Sequence, residues 1–411
     1  MDREVTFIHA ADLHLDSPFK GLMDMPADLF EEIKRSTFQA LQELVRAAID
    51  NRVDFVLITG DLFDNEKQSL KAQIRLKKAF EQLKDQEIAV FLSYGNHDFL
   101  KGNIHQVTYP DNVHIFPDEQ VRDLYFYKNG ELLAKIYGFS YENRAVIENK
   151  TSEYIIEDTK VPFHIAMLHG SIKGNEEHDT YAPFRLSELT EKDFKYWALG
   201  HIHKRAVLQK NPYIVYPGNI QGRHRKETGE KGCYLVRLTE METTLDFIPL
   251  NRIEFYPLKI DVSECVAAYQ LEAIIMDSLK SLKVTRPQLL DLTLQANDTS
   301  LRNWQANGQL EDVLDIINES ISQEQLWRYI FHVQLDIKER LEPSETSFGE
   351  HFIDELKRSF AENSGIDYVE QLYQHRQARK YLDLPSQEEV SGWKQEAEAR
   401  LFDQLLGGGR R

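Results

Sequence analysis

The chain has 411 residues, 42% of them hydrophobic and 28% charged, with a formal net charge of −18. That is enough chain for two or three domains, and too acidic to coat nucleic acid by bulk electrostatics, although a local binding surface stays open. Cys233 and Cys265 are its only cysteines, Met1-Asp2-Arg3-Glu4 does not open a signal peptide, and no apolar run approaches the ~20 residues that span a bilayer, so a cytoplasmic chain without a disulfide framework or a membrane span is expected.

In chain order, Val5-Thr6-Phe7-Ile8 reads as a first buried strand. Pro26–Asn51 reads as a helix, with Leu29, Ile33, Leu41, Leu44, Val45 and Ala48 along one face. The run Val53–Ile58 predicts a strand, Glu66–Leu83 a helix and Ile88–Leu92 another strand. Further buried strands are expected at Phe163–Leu168 and Tyr196–Leu199. The strands Ala134–Tyr141, Tyr213–Tyr216, Cys233–Leu238 and Thr243–Ile248 are expected to form the second sheet of a sandwich. The fold class is therefore α/β: two packed mixed sheets with flanking helices over residues 1–252.

A second unit, residues 253–341, follows as strand (Phe255–Val262), helix (Glu264–Leu282), strand (Gln288–Gln295), helix (Gln309–Glu319) and strand (Trp327–Lys338). From Pro343 the chain turns polar, and residues 342–411 read as a helical region: Ser347–Glu362, Asp367–Tyr381 and Gln387–Leu406. Phe348, Phe352, Leu356 and Phe360 form one apolar stripe, and Trp393, Ala397, Leu401 and Leu405 another. Packing within the chain is the commoner use of such stripes. Gly407–Arg411 reads as a flexible tail.

Five strand ends finish in ligand chemistry: Asp12-Leu13-His14, Gly60-Asp61, Gly95-Asn96-His97-Asp98, His169-Gly170 and Gly200-His201-Ile202-His203. Each segment alone is a weak signal, but their order makes the set strong. Two carboxylates (Asp12, Asp61), four imidazoles (His14, His169, His201, His203) and the Asn96 amide suit a pair of borderline first-row ions, Mn, Fe or Zn, better than Ca or Mg. Residues two apart on an extended segment share a face, so Asp12 and His14 are expected to point at one ion together, and His201 and His203 both to face the site. Asp61, in the middle of the order, is the natural bridge between two ions. Such a pair is positively charged overall, attracts phosphate, and lowers the pKa of water toward neutrality. His97, beside a ligand, is placed to protonate a leaving oxygen, with Asp98 expected to orient its ring. His9 and His164 read as structural. Asp64 reads both as the N-cap of the helix after it and as a residue at the mouth of the site.

Residues 201–232 depart from the overall acidity, with Lys204, Arg205, Lys210, Arg223, Arg225, Lys226 and Lys231 against Glu227 and Glu230. A charge run is most often a solvated loop. Its place directly after the histidine motif makes Arg223, Arg225 and Lys226 candidates for phosphate contact.

These motifs resemble the calcineurin-like metallophosphoesterases, and within them the SbcD/YhaO branch, bacterial relatives of the recombination and repair nucleases. Tyr216-Pro217-Gly218-Asn219-Ile220-Gln221, followed by Lys231-Gly232-Cys233-Tyr234-Leu235-Val236, is similar to a segment of those nucleases. The resemblance implies one metal on Asp12, His14, Asp61 and His203, and a second on Asp61, Asn96, His169 and His201, with manganese the expected ion and His97 the catalytic histidine. It implies a DNA exonuclease of repair, a small cap domain that helps place DNA, and an SbcC-like coiled-coil ATPase as partner to the helices after the cap; a homodimer also fits. Two positions depart from the wider family: Asp64 stands where archaeal and eukaryotic relatives have a second histidine, and Leu15-Asp16-Ser17-Pro18 where many have glycine. The same chemistry on a small nucleotide or a phosphoprotein, or a non-catalytic scaffold of the same fold, are the rival readings.

Overall fold

The structure is a computed structural model that describes residues 3–64, 68–102, 107–173 and 181–337, with scattered positions between 355 and 401. The chain forms two compact units, Met1–Ile337 and Lys338–Arg411.

The first unit contains three sheets. One runs in the order β12-β11-β1-β2-β3-β4. Its strands are β1 (Glu4–Ala10), β2 (Phe55–Thr59), β3 (Ala89–Ser93), β4 (Val113–Ile115), β11 (Gly232–Thr239) and β12 (Thr243–Pro249). The second runs β5-β6-β7-β8-β10-β9, with β5 (Arg122–Lys128), β6 (Glu131–Gly138), β7 (Phe163–His169), β8 (Tyr196–Gly200), β9 (Ala206–Lys210) and β10 (Tyr213–Tyr216). β1 to β4 are parallel, as are β6, β7, β8 and β10. The two sheets face each other across Val5, Phe7, Phe55, Leu57 and Phe91 on one side and Phe163, Ile165, Met167, Tyr196 and Ala198 on the other. The alternate residues of β1 and β2, Ile8, Ala10, Val56 and Ile58, pack outward against α1 (Ala27–Asp50) and α2 (Leu70–Lys84). Both faces of the central strands are thus covered, which is why they read as continuous apolar runs.

Three expectations are corrected. β11 and β12 belong to the first sheet, not the second, because β11 pairs antiparallel with β1. Its Tyr234, Val236 and Leu238 fill the same inter-sheet core as Val5 and Phe7. α2 begins at Leu70, and its cap is Ser69, whose Oγ accepts the Ala72 amide at 3.1 Å; Asp64 therefore does not cap it. Strands β5 and β9 were not expected: each forms an edge with a partly exposed, mixed pattern.

The third sheet is all parallel, β13 (Glu254–Asp261), β14 (Gln288–Ala296) and β15 (Arg328–Ile337), with α4 (Gln270–Lys280), α5 (Ser300–Ala306) and α6 (Gln309–Ile321) connecting its strands; the short α3 (Leu186–Thr190) precedes β8 in the sandwich. The strand–helix alternation expected after residue 253 is present as far as Ile337, with α5 as an addition. The module is fixed to the sandwich by an apolar cluster in which Ile253, Phe255, Leu289 and Trp327 meet Phe19, Leu22, Leu29 and Ile33. Trp327 Nε1–H also donates to Glu32 on α1 at 2.9 Å.

Of the second unit few positions are described, 355, 356, 358–360, 385, 390–394, 397, 398 and 401. Phe348, Phe352, Leu405 and the 407–411 tail lie outside the described residues.

Candidate metal centre

The parallel strands β1, β2, β3, β7 and β8 end along one edge, and the ligand residues stand there. His169 is the last residue of β7; Asp12, His14, Asp61, Asn96, His201 and His203 follow their strands within a few residues. Backbone bonds lock the loops together: the amides of Asp12, His14 and Leu15 donate to the carbonyls of Gly60, Asp61 and Leu62 at 3.2, 3.0 and 2.9 Å.

The ligand-bearing backbone is not extended. Asp12, His14 and Asp61 have φ of 51°, 41° and 52°, and His201 has 95°. The expected alternation along an extended segment is therefore not what brings Asp12 and His14 together. Left-handed turns, stored at cost and held by the surrounding bonds, aim these side chains inward. Gly60, at φ 78°, lies so close to the His169 ring that a Cβ there would overlap it.

Two donor sets result. Asp12, His14, Asp61 and His203 each bring a ligand atom, all within 4.8 Å of one another. Asp61, His169 and His201 do the same on the other side. Asn96 joins the second set, its Oδ1 3.0 Å from His169 Nε2.

Proton bookkeeping tests whether these sets suit cations. His169 Nδ1–H donates to the Thr59 carbonyl at 3.1 Å, which leaves a bare lone pair on Nε2. That lone pair faces Asn96 Oδ1 and, at 3.5 Å, Asp61 Oδ2. Likewise His203 Nδ1–H donates to Glu227 at 2.6 Å, so its Nε2 lone pair faces His14 Nε2 at 3.0 Å. Electron-rich atoms thus converge in two places: at His169 Nε2 and Asn96 Oδ1, and at the Nε2 atoms of His14 and His203, between which one proton at most can lie. Burial holds His14, His169 and His203 below the usual imidazole range, in the neutral form that ligates. Burial and the neighbouring Asp61 charge push Asp12 well above the usual carboxylate range. Cations between these groups would remove that penalty, and the residues fit a pair of divalent ions.

His97 belongs to neither set. Its Nδ1–H donates to the Asp64 carbonyl at 2.9 Å, and its ring stands 5.0 Å from that of His14. Asp98 does not touch that ring. Its buried carboxylate accepts the amides of Leu62 at 2.6 Å and Gly95 at 2.8 Å, tying the second and third motif loops to each other. The residue that orients His97 is Asp64, through its backbone. The Asp64 side chain lies at the mouth of the site, 3.5 Å from His14 Nδ1, and is paired with Arg223.

The three basic candidates separate. Arg223 is mostly buried, held by Asp64 and, at 3.8 Å, by Glu227. Arg225 reaches away to His332 of β15 at 3.3 Å, which in turn bonds Asp291 at 2.6 Å. Lys226 is exposed. Glu227, counted in the sequence only as a charge, is the important residue missed there. It is buried, holds His203, accepts Asn219 Nδ2 at 2.8 Å and the Arg223 amide at 2.6 Å. The available signal was a single acid inside a basic run. His9 is structural as expected, donating from Nε2 to the Leu199 carbonyl and accepting from Tyr196; burial pushes it down to about 3. His164 lies apart from the site and bonds Tyr137.

Comparison with known proteins agrees with this geometry. Residues 5–205 match the calcineurin-like phosphoesterase family. The chain is 40% identical over 404 residues to the uncharacterized metallophosphoesterase YhaO of Bacillus subtilis, covering 98% of each chain. It is 27% identical over 261 residues to the DNA double-strand break repair protein Mre11 of Methanocaldococcus jannaschii, covering 60% of this chain and 66% of that one. It is 24% identical over 391 residues to Mre11 of Methanococcus maripaludis, covering 89% and 94%. With 40% identity over 98% of each chain to a metallophosphoesterase, a family match over residues 5–205 and a donor set suited to two ions, the chain belongs to the calcineurin-like metallophosphoesterases.

Proposed function

We propose that the protein is a two-metal phosphodiesterase that cuts DNA from an end, in the cytoplasm, together with an SbcC-like ATPase. The observation that carries this reading is the pair of donor sets sharing Asp61, with a third sheet fixed beside them. Asp12, His14, Asp61 and His203 would hold one ion; Asp61, Asn96, His169 and His201 the other. Manganese is the expected ion, with Fe and Zn admitted by the same donors. When bound, the ions polarise a phosphoryl oxygen and supply an activated water at neutral pH. His97, with Nδ1–H anchored on the Asp64 carbonyl, presents Nε2 to the leaving oxygen, and only its imidazolium form would deliver a proton from there. Arg223, fixed by Asp64 and Glu227, adds positive charge beside the phosphoryl group; exposed Lys226 would meet a flanking phosphate, and Arg225 would join it only on leaving His332. The Mre11 relatives are named for DNA double-strand break repair, which supports DNA over a small nucleotide. A scaffold has no need for two complete donor sets.

The test compares an end-labelled linear duplex, a closed circle, a cyclic dinucleotide and a chromogenic diester, each with Mn and with Mg. Mn-dependent loss of the linear duplex with the circle spared is the expected result. Turnover of the dinucleotide and the chromogenic diester with both DNAs untouched would replace DNA by a small substrate.

A further inference from the structure

α1 and α2 lie side by side on the outer face of the first sheet and leave a groove of about 510 Å³. It is lined by Arg35, Phe38, Gln42, Arg75, Lys78 and Arg252. The Arg75 guanidinium stacks 4.3 Å over the Phe38 ring, and Lys71 reaches the same ring at 5.4 Å. Neighbouring cations of the same two helices are neutralised: Lys34 by Glu31, Arg46 by Glu43, Lys77 by Glu81, and Lys84 by Asp111. Arg35, Lys71, Arg75 and Lys78 form no close side-chain ion pair among the described residues; the Glu31 carboxylate, paired with Lys34, lies near enough to Arg35 and Lys71 to feel their charge. Glu43, the acid in the lining, is shared between Arg46 at 2.9 Å and Arg252 at 3.5 Å. In a chain of net charge −18, unpaired cations gathered in one groove mark it for an anion.

We propose that this groove binds the phosphate backbone of DNA, as a second contact beyond the metal centre; the inference rests on the DNA reading above. Charge complementarity favours a repeated phosphate, and continuity with the metal centre favours DNA. The Arg252 amide, at one end of the groove, donates to Gln221 Oε1 at 2.9 Å. Gln221 stands two residues before Arg223, which is held against Asp64 at the mouth of the donor sets. Buried Gln221 thus links the loop of Arg223, at the site, to Arg252, at the helical face. Arg75, held on its aromatic floor, loses little freedom on binding.

The experiment measures binding of a fluorescent duplex by the full-length protein across a salt series. Arg35→Gln, Arg75→Gln and Lys78→Gln are combined in one variant, and Arg35→Lys with Arg75→Lys in a second that keeps the charge. The first should weaken binding about 10-fold or more at low salt and reduce the log–log salt slope by about 3, one per lost phosphate contact. Hydrolysis of a chromogenic diester and bound metal should not change. The lysine variant should keep the parent's salt slope and most of its affinity, short of the parent only by the lost stacking of Arg75 on Phe38, which shows that charge is read; a slope as low as the glutamine variant's would overturn the proposal. If the parent protein binds DNA and the glutamine variant matches it in affinity and slope, the groove is not a DNA contact and the function reading survives. If the parent binds no DNA at any salt, both fall.

Discussion

Asp61 contributes to both donor sets, and its Oδ1 also accepts the His97 amide at 3.0 Å. Asp61→Asn keeps the shape and removes the charge that lets two cations sit close together. It is expected to lose most activity and to loosen both ions, checked by metal analysis after dialysis; two retained ions with normal turnover would refute the assignment. His97→Ala should keep both ions and lose about 10²–10⁴-fold in rate, the usual range for a lost proton donor; metal lost in step with activity would make His97 a ligand. Glu227→Gln should weaken metal affinity or activity about 10–100-fold, because the residue fixes the His203 tautomer. The seven candidate ligands were legible because each closes an apolar run. Glu227 was not, since its partner lies 24 residues away and only the folded loop joins them. Asp98 was half legible: a buried acid at the site, but bonded to amides of two loops and not to the imidazole.

At the scale of elements, the parallel strands were legible because both faces of each are covered. Sheet membership of β11 and β12 was not, because alternation fixes which residues face inward but not which neighbour a strand pairs with. The start of α2 was misread because Asp64 and Ser69 are both good caps by residue type, and only the fold assigns Asp64 to Arg223. Ser69→Ala should cost about 1 kcal/mol, seen as a lower melting temperature with metal content unchanged. Gly60→Ala should do more. Its φ of 78° strains any side chain, at about 1–3 kcal/mol, and the added methyl displaces the His169 ring. Melting and metal affinity are therefore expected to fall together, whereas Ser69→Ala separates them.

At the scale of the whole molecule, the change in strand–helix pattern near residue 253 was legible, but the pattern does not say whether the third sheet folds alone, and the structure groups it with the sandwich in one unit, Met1–Ile337. Its attachment argues that it does not leave the sandwich freely. Phe19, Leu22, Leu29 and Ile33 are buried against Ile253, Phe255, Leu289 and Trp327, and a chain ending at 252 would expose them. It would also strip Arg225 of His332 and Glu32 of Trp327. Residues 1–337, in contrast, form one compact unit with its apolar clusters complete. The expected outcome is that 1–337 melts cooperatively near the parent temperature, binds two metal equivalents and hydrolyses a chromogenic diester at the parent rate, while 1–252 melts well below it or aggregates. Capture of an SbcC-like ATPase should be lost from 1–337, because the helices assigned to it lie beyond. Equal melting temperatures for 1–252 and 1–337 would make the third sheet an independent domain on a linker, and retained ATPase capture by 1–337 would move the partner surface onto the first unit.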